Sequence, residues 1–337
     1  MKAIIMNKEY FKEFTYSKRT IFYQEEYIDA KVIEIINWFL ESFNSENTKQ
    51  SYAKDLNDFF LFAFKSLELK IDSLHKITER VIILWKESLS DFSSASVARK
   101  LSSISSFLSF SRERGLVDKN VLELIKKPKI DKRGKTNCLT EEEILKLLEY
   151  AKKQFQISRS KTSRSYCVWR LRFTVMHVLF TVGMRAEELC ELKIKDLENT
   201  GQSWRLHLIT KGNVTHSPII HPNTAQVLMN YKNEFRNNAA QEDYFLIRTQ
   251  LSKNLTKLNR SSIFDMIKIT AKESGILKDI SPHSFRTSLA TLLHLKGVPI
   301  IQIQRLLNHK STATTSIYLR KSFEVSESAT HKINFLE

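Results

Sequence analysis

A chain of 337 residues, 42% of them hydrophobic, is long enough for two cores, and only seven glycines and five prolines point to a mainly helical architecture. A net charge of +16 favours a polyanionic partner, nucleic acid or an anionic membrane surface, although a solvated basic surface gives the same sum. The apolar runs are too short for a signal peptide or a bilayer span, and Cys138, Cys167 and Cys190 lack the pairing of a disulfide framework or a zinc site, which suits a reducing cytosol.

Residues 1–27 show little periodicity and are left unassigned, as an N-terminal extension. From Ala30 a helical stripe begins, with Val32, Ile35, Ile36, Phe39, Leu40 and Phe43 on one face. A second helix starts at Asn47 or Thr48, turning Tyr52, Leu56, Phe59, Phe60 and Ala63 inward and Lys49, Lys54 and Asp55 outward. A third covers Thr78–Leu89. The fourth, Ser96–Arg114, pairs an apolar stripe with a face of Ser102, Ser103, Ser105, Ser106 and Ser109, opened by Arg99 and Lys100 and closed by Arg112 and Arg114; Gly115 stops it. Small hydroxyls between guanidiniums suit a DNA backbone, and a serine-rich solvent face reads the same way.

Residues 126–137 are polar and basic and link two domains. This divides the chain into a helical domain at 28–128, a linker at 129–137 and a second domain at 138–337. Net positive charge falls on both sides of the linker, more of it after than before. Thr140 caps the next helix, with Glu143 spaced for a capping box, and the basic stretch 152–166 reads as a long loop. Gly183 permits a turn from which Arg185 opens a helix, with Glu188 placed to hold its guanidinium. Residues 204–209 alternate with a period of two, Lys211-Gly212-Asn213 turns the chain, and Val214 to Ile220 returns, giving a small antiparallel hairpin. Ser281-Pro282 starts a helix that carries His283 and Arg286 three apart on one face near its N-terminus, where free N–H groups favour anions. Last come Leu307-Asn308-His309 and, nine residues on, Tyr318.

Each feature alone is ordinary. An Arg–Glu pair is usually a surface ion pair, a lysine at a hairpin tip is usually solvated, and a helical tyrosine usually packs. Together they supply two guanidiniums, an ammonium, two imidazoles and a phenol without a catalytic carboxylate. That set suits a pentacoordinate phosphorane.

In order and spacing the chain resembles the tyrosine recombinases, the phage integrase and Xer group. Thr181 to Leu189 matches the family's first motif with Val182 inserted, Lys211 falls on its hairpin lysine, His283 and Arg286 on its H-x-x-R, and Leu307-Asn308-His309 with Tyr318 on its L-G-H and nucleophile. Thr48-Lys49-Gln50-Ser51-Tyr52 and the Ser96–Gly115 helix are similar to its core-binding domain. Asn308 stands for the usual Gly, Thr287 for a common His and Val121 for a common Pro.

The resemblance implies a mainly α fold with a small antiparallel β-sheet, a helical core-binding domain before an α+β catalytic domain. It implies Arg185, Lys211, His283, Arg286, His309 and Tyr318 as catalytic residues, with Glu188 supporting Arg185. The candidate DNA contacts are Lys49, Arg99, Lys100, Ser103, Arg112, Lys132 and Arg133. No metal or cofactor is expected, because a phosphotyrosyl link conserves the phosphodiester's free energy. The expected partners are a double-stranded recombination site and further copies of the chain, as a dimer or tetramer joined through a C-terminal segment holding Ile333, Phe335 and Leu336, or a second recombinase subunit; a membrane is not among them. The expected place is the cytoplasm, on the nucleoid. A type IB topoisomerase activity and a catalytically vestigial DNA-binding protein remain alternatives.

Overall fold

The computed structural model describes residues 28–129, 137–158, 160, 163–210, 214–248 and 256–309, preceded by four two-residue strands. The chain forms two compact units, Met1–Lys132 and Arg133–Glu337. In the unassigned N-terminal stretch, β1 (Phe11–Lys12) pairs antiparallel with β4 (Tyr23–Gln24), and β2 (Thr15–Tyr16) with β3 (Arg19–Thr20).

Among the described residues, four α-helices build the first unit, each begun by a short polar side chain that accepts a free N–H of the first turn. Asp29 caps α1 (Ala30–Glu41), Ser45 caps α2 (Glu46–Leu67), Thr78 caps α3 (Glu79–Ser88) and Ser93 caps α4 (Ser94–Arg112). Helices α2 and α4 therefore start one or two residues before the positions expected, at the residue after the cap. Phe39 meets Phe107 edge-on with ring centroids 5.4 Å apart, and Phe59 meets Trp85 at 5.0 Å. Each such pair adds about 0.5–1.5 kcal/mol to what burial already contributes.

Two expectations about this unit are corrected. Asp55 does not face outward: it is fully buried, and its carboxylate accepts from Arg99 and from Ser103 Oγ (2.7 Å). Lys100 is buried beside it, 3.6 Å from Asp55 and 2.5 Å from Asp58. The serine row of α4 is likewise not an open face. Ser105 and Ser109 accept from the amide of buried Asn120, whose own oxygen caps the turn at Leu122. A buried carboxylate needs compensating donors, and α4 supplies them from the side that its own sequence presents as polar.

The second unit is built around α6 (Arg164–Val182), which packs against α5 (Glu141–Gln156), α8 (Pro222–Phe235) and α10 (Pro282–Leu295). The capping box of α5 forms as expected, with Thr140 N–H donating to Glu143 (2.8 Å) and Glu143 N–H to Thr140 Oγ1 (3.2 Å). The loop placed at 152–166 is shorter, because α5 runs to Gln156 and α6 begins at Arg164 after its cap Ser163. Lys and Gln are good helix formers on an exposed face, and Phe155 anchors the last turn against Tyr166 and Phe173. Beyond α7 (Ala186–Glu191) lie the strands. β5 (Leu197–Asn199), β6 (Trp204–Leu206) and β9 (Ile219–Ile220) form one antiparallel sheet, and β7 (Leu208–Thr210) and β8 (Val214–His216) form another. The expected hairpin is thus broken into two ladders. Pro218 cannot donate on the return strand, and on the outgoing strand His207 N–H turns to Asp196 (2.8 Å). α9 (Arg260–Glu273) and α11 (Ile300–Leu307) are the remaining α-helices among the described residues of the unit. Among the described residues, no helix is long and apolar enough to cross a membrane.

Candidate active site

The site is assembled where α6 ends. Gly183 closes α6 in the left-handed region, at φ 67°, which L-residues with a Cβ rarely adopt. Two residues on, Arg185 occupies the cap position of α7. Glu188, almost fully buried, holds Arg185 twice: its carboxylate accepts from the Arg185 backbone N–H (2.7 Å) and from Nη1 (2.6 Å). The guanidinium is thereby aimed while 43% of the side chain stays exposed.

Arg286 lies near the N-terminus of α10, just past its first turn, and is 3% exposed. Its Nη1 donates to the Gly183 carbonyl (2.5 Å) and its Nη2 to the Leu307 carbonyl. The last carbonyls of α6 and α11 have no helical partner of their own, so one guanidinium satisfies both ends and orients itself. Asn308 then caps α11 at φ 49°, and its amide donates to Thr210 Oγ1 (3.3 Å). Asn tolerates this backbone angle best among residues with a Cβ, so its replacement of Gly keeps the turn.

His309 follows, 7% exposed. Burial first, then Arg286, Arg185 and His283, push its pKa down to about 3. His283 is also lowered, first by partial burial of the ring and then by Arg286 and Arg185. Both imidazoles are therefore neutral at pH 7. Thr287, in place of the expected His, donates to the His283 carbonyl (2.9 Å) within the helix.

Arg185, His283 and Arg286 line one pocket of about 290 Å³, with Met184, Pro282, Arg260 and Phe264. His309 borders a neighbouring groove of about 880 Å³, with Arg205, His216 and Ile301 among its walls. Lys211 and Tyr318 lie outside the described residues, as do Lys132 and Arg133. The hairpin bases on either side of Lys211 are tied to the His309 turn through Thr210 and through His216, whose Nε2 is 2.9 Å from the Leu306 carbonyl. Of the candidate DNA contacts, Lys100 and Ser103 are committed to the Asp55 cluster, which corrects their placement on the surface. Arg99 and Arg112 are exposed, paired with Asp55 and Glu123, and Lys49 is half-buried. Arg260 was not marked by sequence. Its one signal is its position just after the helix cap Asn259.

A pocket with two oriented guanidiniums and neutral imidazoles is built for a phosphodiester, and it stands on an α+β unit that follows a helical one. That is the organisation of a tyrosine recombinase, a DNA strand transferase. The chain belongs to the phage integrase family: residues 137–324 match the model of that family, and residues 38–115 match the phage integrase N-terminal SAM-like domain. It is 31% identical over 276 residues to a tyrosine recombinase of Pseudothermotoga lettingae, covering 82% of this chain and 87% of the relative. A tyrosine recombinase of Thermosipho africanus is 28% identical over 309 residues, covering 90% and 99%. The fold is shared with the crystal structure of XerH site-specific recombinase bound to a palindromic difH substrate in a post-cleavage complex. There the TM-score is 0.67 at 20% identity, over 86% of this chain and 80% of that one.

Proposed function

We propose that this recombinase cuts and rejoins duplex DNA through a 3′-phosphotyrosyl intermediate formed by Tyr318. Its phenol oxygen attacks the scissile phosphorus, the P–O bond to the 5′-oxygen breaks, and Lys211 protonates the departing oxygen. Arg185 and Arg286 hold the nonbridging oxygens and stabilise the charge that grows in the transition state. His283 takes the phenol proton, and its depressed pKa leaves it unprotonated and able to do so. His309, neutral as well, donates one N–H to a nonbridging oxygen. The new ester keeps the phosphodiester's free energy, so rejoining to another strand is the same reaction reversed.

The observation that carries this reading is Arg286, buried and fixed between the Gly183 and Leu307 carbonyls beside Arg185. Burying a guanidinium is costly, and this one is held by two carbonyls in the wall of the pocket that Arg185 and His283 also line. In this reading residues 28–128 grip the duplex through Lys49, Arg99 and Arg112, the 129–137 linker adds Lys132 and Arg133, and residues 138–337 cut. A tetramer exchanges strands through a Holliday junction, its subunits joined by the segment with Ile333, Phe335 and Leu336, and works in the cytoplasm on the nucleoid. The test is a nicked suicide duplex carrying the recombination site. The protein should form a covalent adduct, and Tyr318→Phe should bind the same DNA and form none. An adduct that survives in Tyr318→Phe gives the nucleophile to another residue; no adduct in either protein leaves a DNA-binding protein without chemistry.

A further inference from the structure

The catalytic pocket has a cation at its rim that the proposed chemistry does not use. Arg260, the first residue of α9, lines the pocket with Arg185, His283 and Arg286. Its Nη1 lies 2.8 Å from Glu187 Oε1, and both side chains are 55% exposed. One turn along α7, Glu191 holds the ammonium of Lys257, which also sits 4.8 Å from the Tyr244 ring centre. Two carboxylates spaced i,i+4 on one helix thus face two cations on the segment leading into α9.

Exposed ion pairs of this kind contribute about 0–1 kcal/mol each, so the arrangement is a poor device for stability. It is a good device for exchange. A phosphate oxygen offers Arg the same planar contact as a carboxylate, and counterion release favours the DNA. The spacing of the two carboxylates presents two anions in a row beside a pocket that takes a third.

We propose that Lys257 and Arg260 form a phosphate-binding pair for the DNA strand next to the catalytic pocket, and that Glu187 and Glu191 occupy those cations until backbone phosphates replace them. The proposal rests on the recombinase reading above. The carboxylates limit how tightly the free protein seizes DNA and assist release after rejoining.

The experiment uses the full chain and a duplex half-site, with affinity measured across a salt series. Lys257→Ala with Arg260→Ala should reduce the log–log salt slope by about 1.8, two phosphates at about 0.9 each. Arg260→Lys, which keeps the charge, should restore its share. Glu187→Gln with Glu191→Gln should tighten binding several-fold, and by more than twice the effect of Glu142→Gln, the control for loss of one exposed negative charge. In the Lys257→Ala, Arg260→Ala background the gain should shrink to the control's. A salt slope unchanged by loss of the two cations overturns the site, and carboxylate variants that bind no tighter than the control overturn the exchange. Circular dichroism confirms that each variant is folded. Adduct formation by Tyr318 is scored in parallel, so that failure of the underlying chemistry is seen separately from failure of this pair.

Discussion

Replacing Gly183 by alanine probes the joint on which Arg185 and Arg286 both depend. The backbone there has φ 67° and ψ 21°, and an L-residue in this region costs roughly 1–2 kcal/mol. The added Cβ would also stand 2.5 Å from Leu307 Cδ2 and 2.8 Å from Leu289 Cδ2. Both atoms end flexible side chains, but Leu307 is 1% and Leu289 7% exposed, in a small packed cluster. Overpacking there should add about 1 kcal/mol, the low end for inserted methyl groups. The total, about 2–3 kcal/mol, should lower the melting point of a unit this size by roughly 5–10 °C. Gly201→Ala is the matched control: its φ is 81°, but nothing lies within 4 Å of the new Cβ, so it carries the backbone cost alone. Urea unfolding gives the stability difference, and peptide-resolved hydrogen exchange should place the loss in residues 164–309. Suicide-substrate cleavage should fall further in Gly183→Ala than in Gly201→Ala, since the Gly183 carbonyl seats Arg286. If Gly183→Ala is no less stable than Gly201→Ala and cleaves at the wild-type rate, the close approach of α6, α10 and α11 is not what builds the site.

Arg286→Lys keeps the charge but loses the planar fork that reaches two carbonyls; cleavage should drop on the order of 10²-fold or more, and urea denaturation should show the protein less stable. Acid should weaken the fold through His309: its pKa is about 3 when folded against about 6.5 unfolded, so the unfolded chain takes up the proton first. The stability is present above pH 6.5 and is lost as pH falls toward 3, and in urea titrations at pH 7 and pH 5 His309→Gln should lose less than wild type does. Asp55→Ala should cost about 3 kcal/mol in urea unfolding, the low end for breaking a buried pair, because Asp58 still faces Lys100; equal stability would mean the cluster adds nothing.

What was legible in the sequence were the local devices and the order of chemical groups. Thr140 with Glu143, Ser281 with Pro282, and Asn308 at the end of α11 state their roles in a few residues, because caps and turns are local physics. Glu188 was legible as the clamp of Arg185 for the same reason. Asp55 was not. Along α2 it lies beside the apolar stripe, and only Arg99, Lys100 and Ser103, more than forty residues later, make its burial tolerable. The broken hairpin was equally hidden, since period-two alternation runs straight through His207 and takes no account of Pro218. The basic residues of 152–156 were read as loop from their polarity, although polarity also marks the outer face of a helix. Arg260 escaped because its meaning lies in Glu187, 73 residues earlier.

Arg286 also bears on how copies of such a gene decay. Its side chain joins the end of α6 to the end of α11, so under the proposed mechanism its loss would injure the fold as well as the chemistry. A change at Tyr318 removes one hydroxyl and leaves those two helix ends joined. Idle copies released from selection for cutting, yet still selected for occupying DNA, should shed the tyrosine first and keep the arginine. A lineage with phenylalanine at 318 and arginine at 286 would be a former recombinase still employed as a binder.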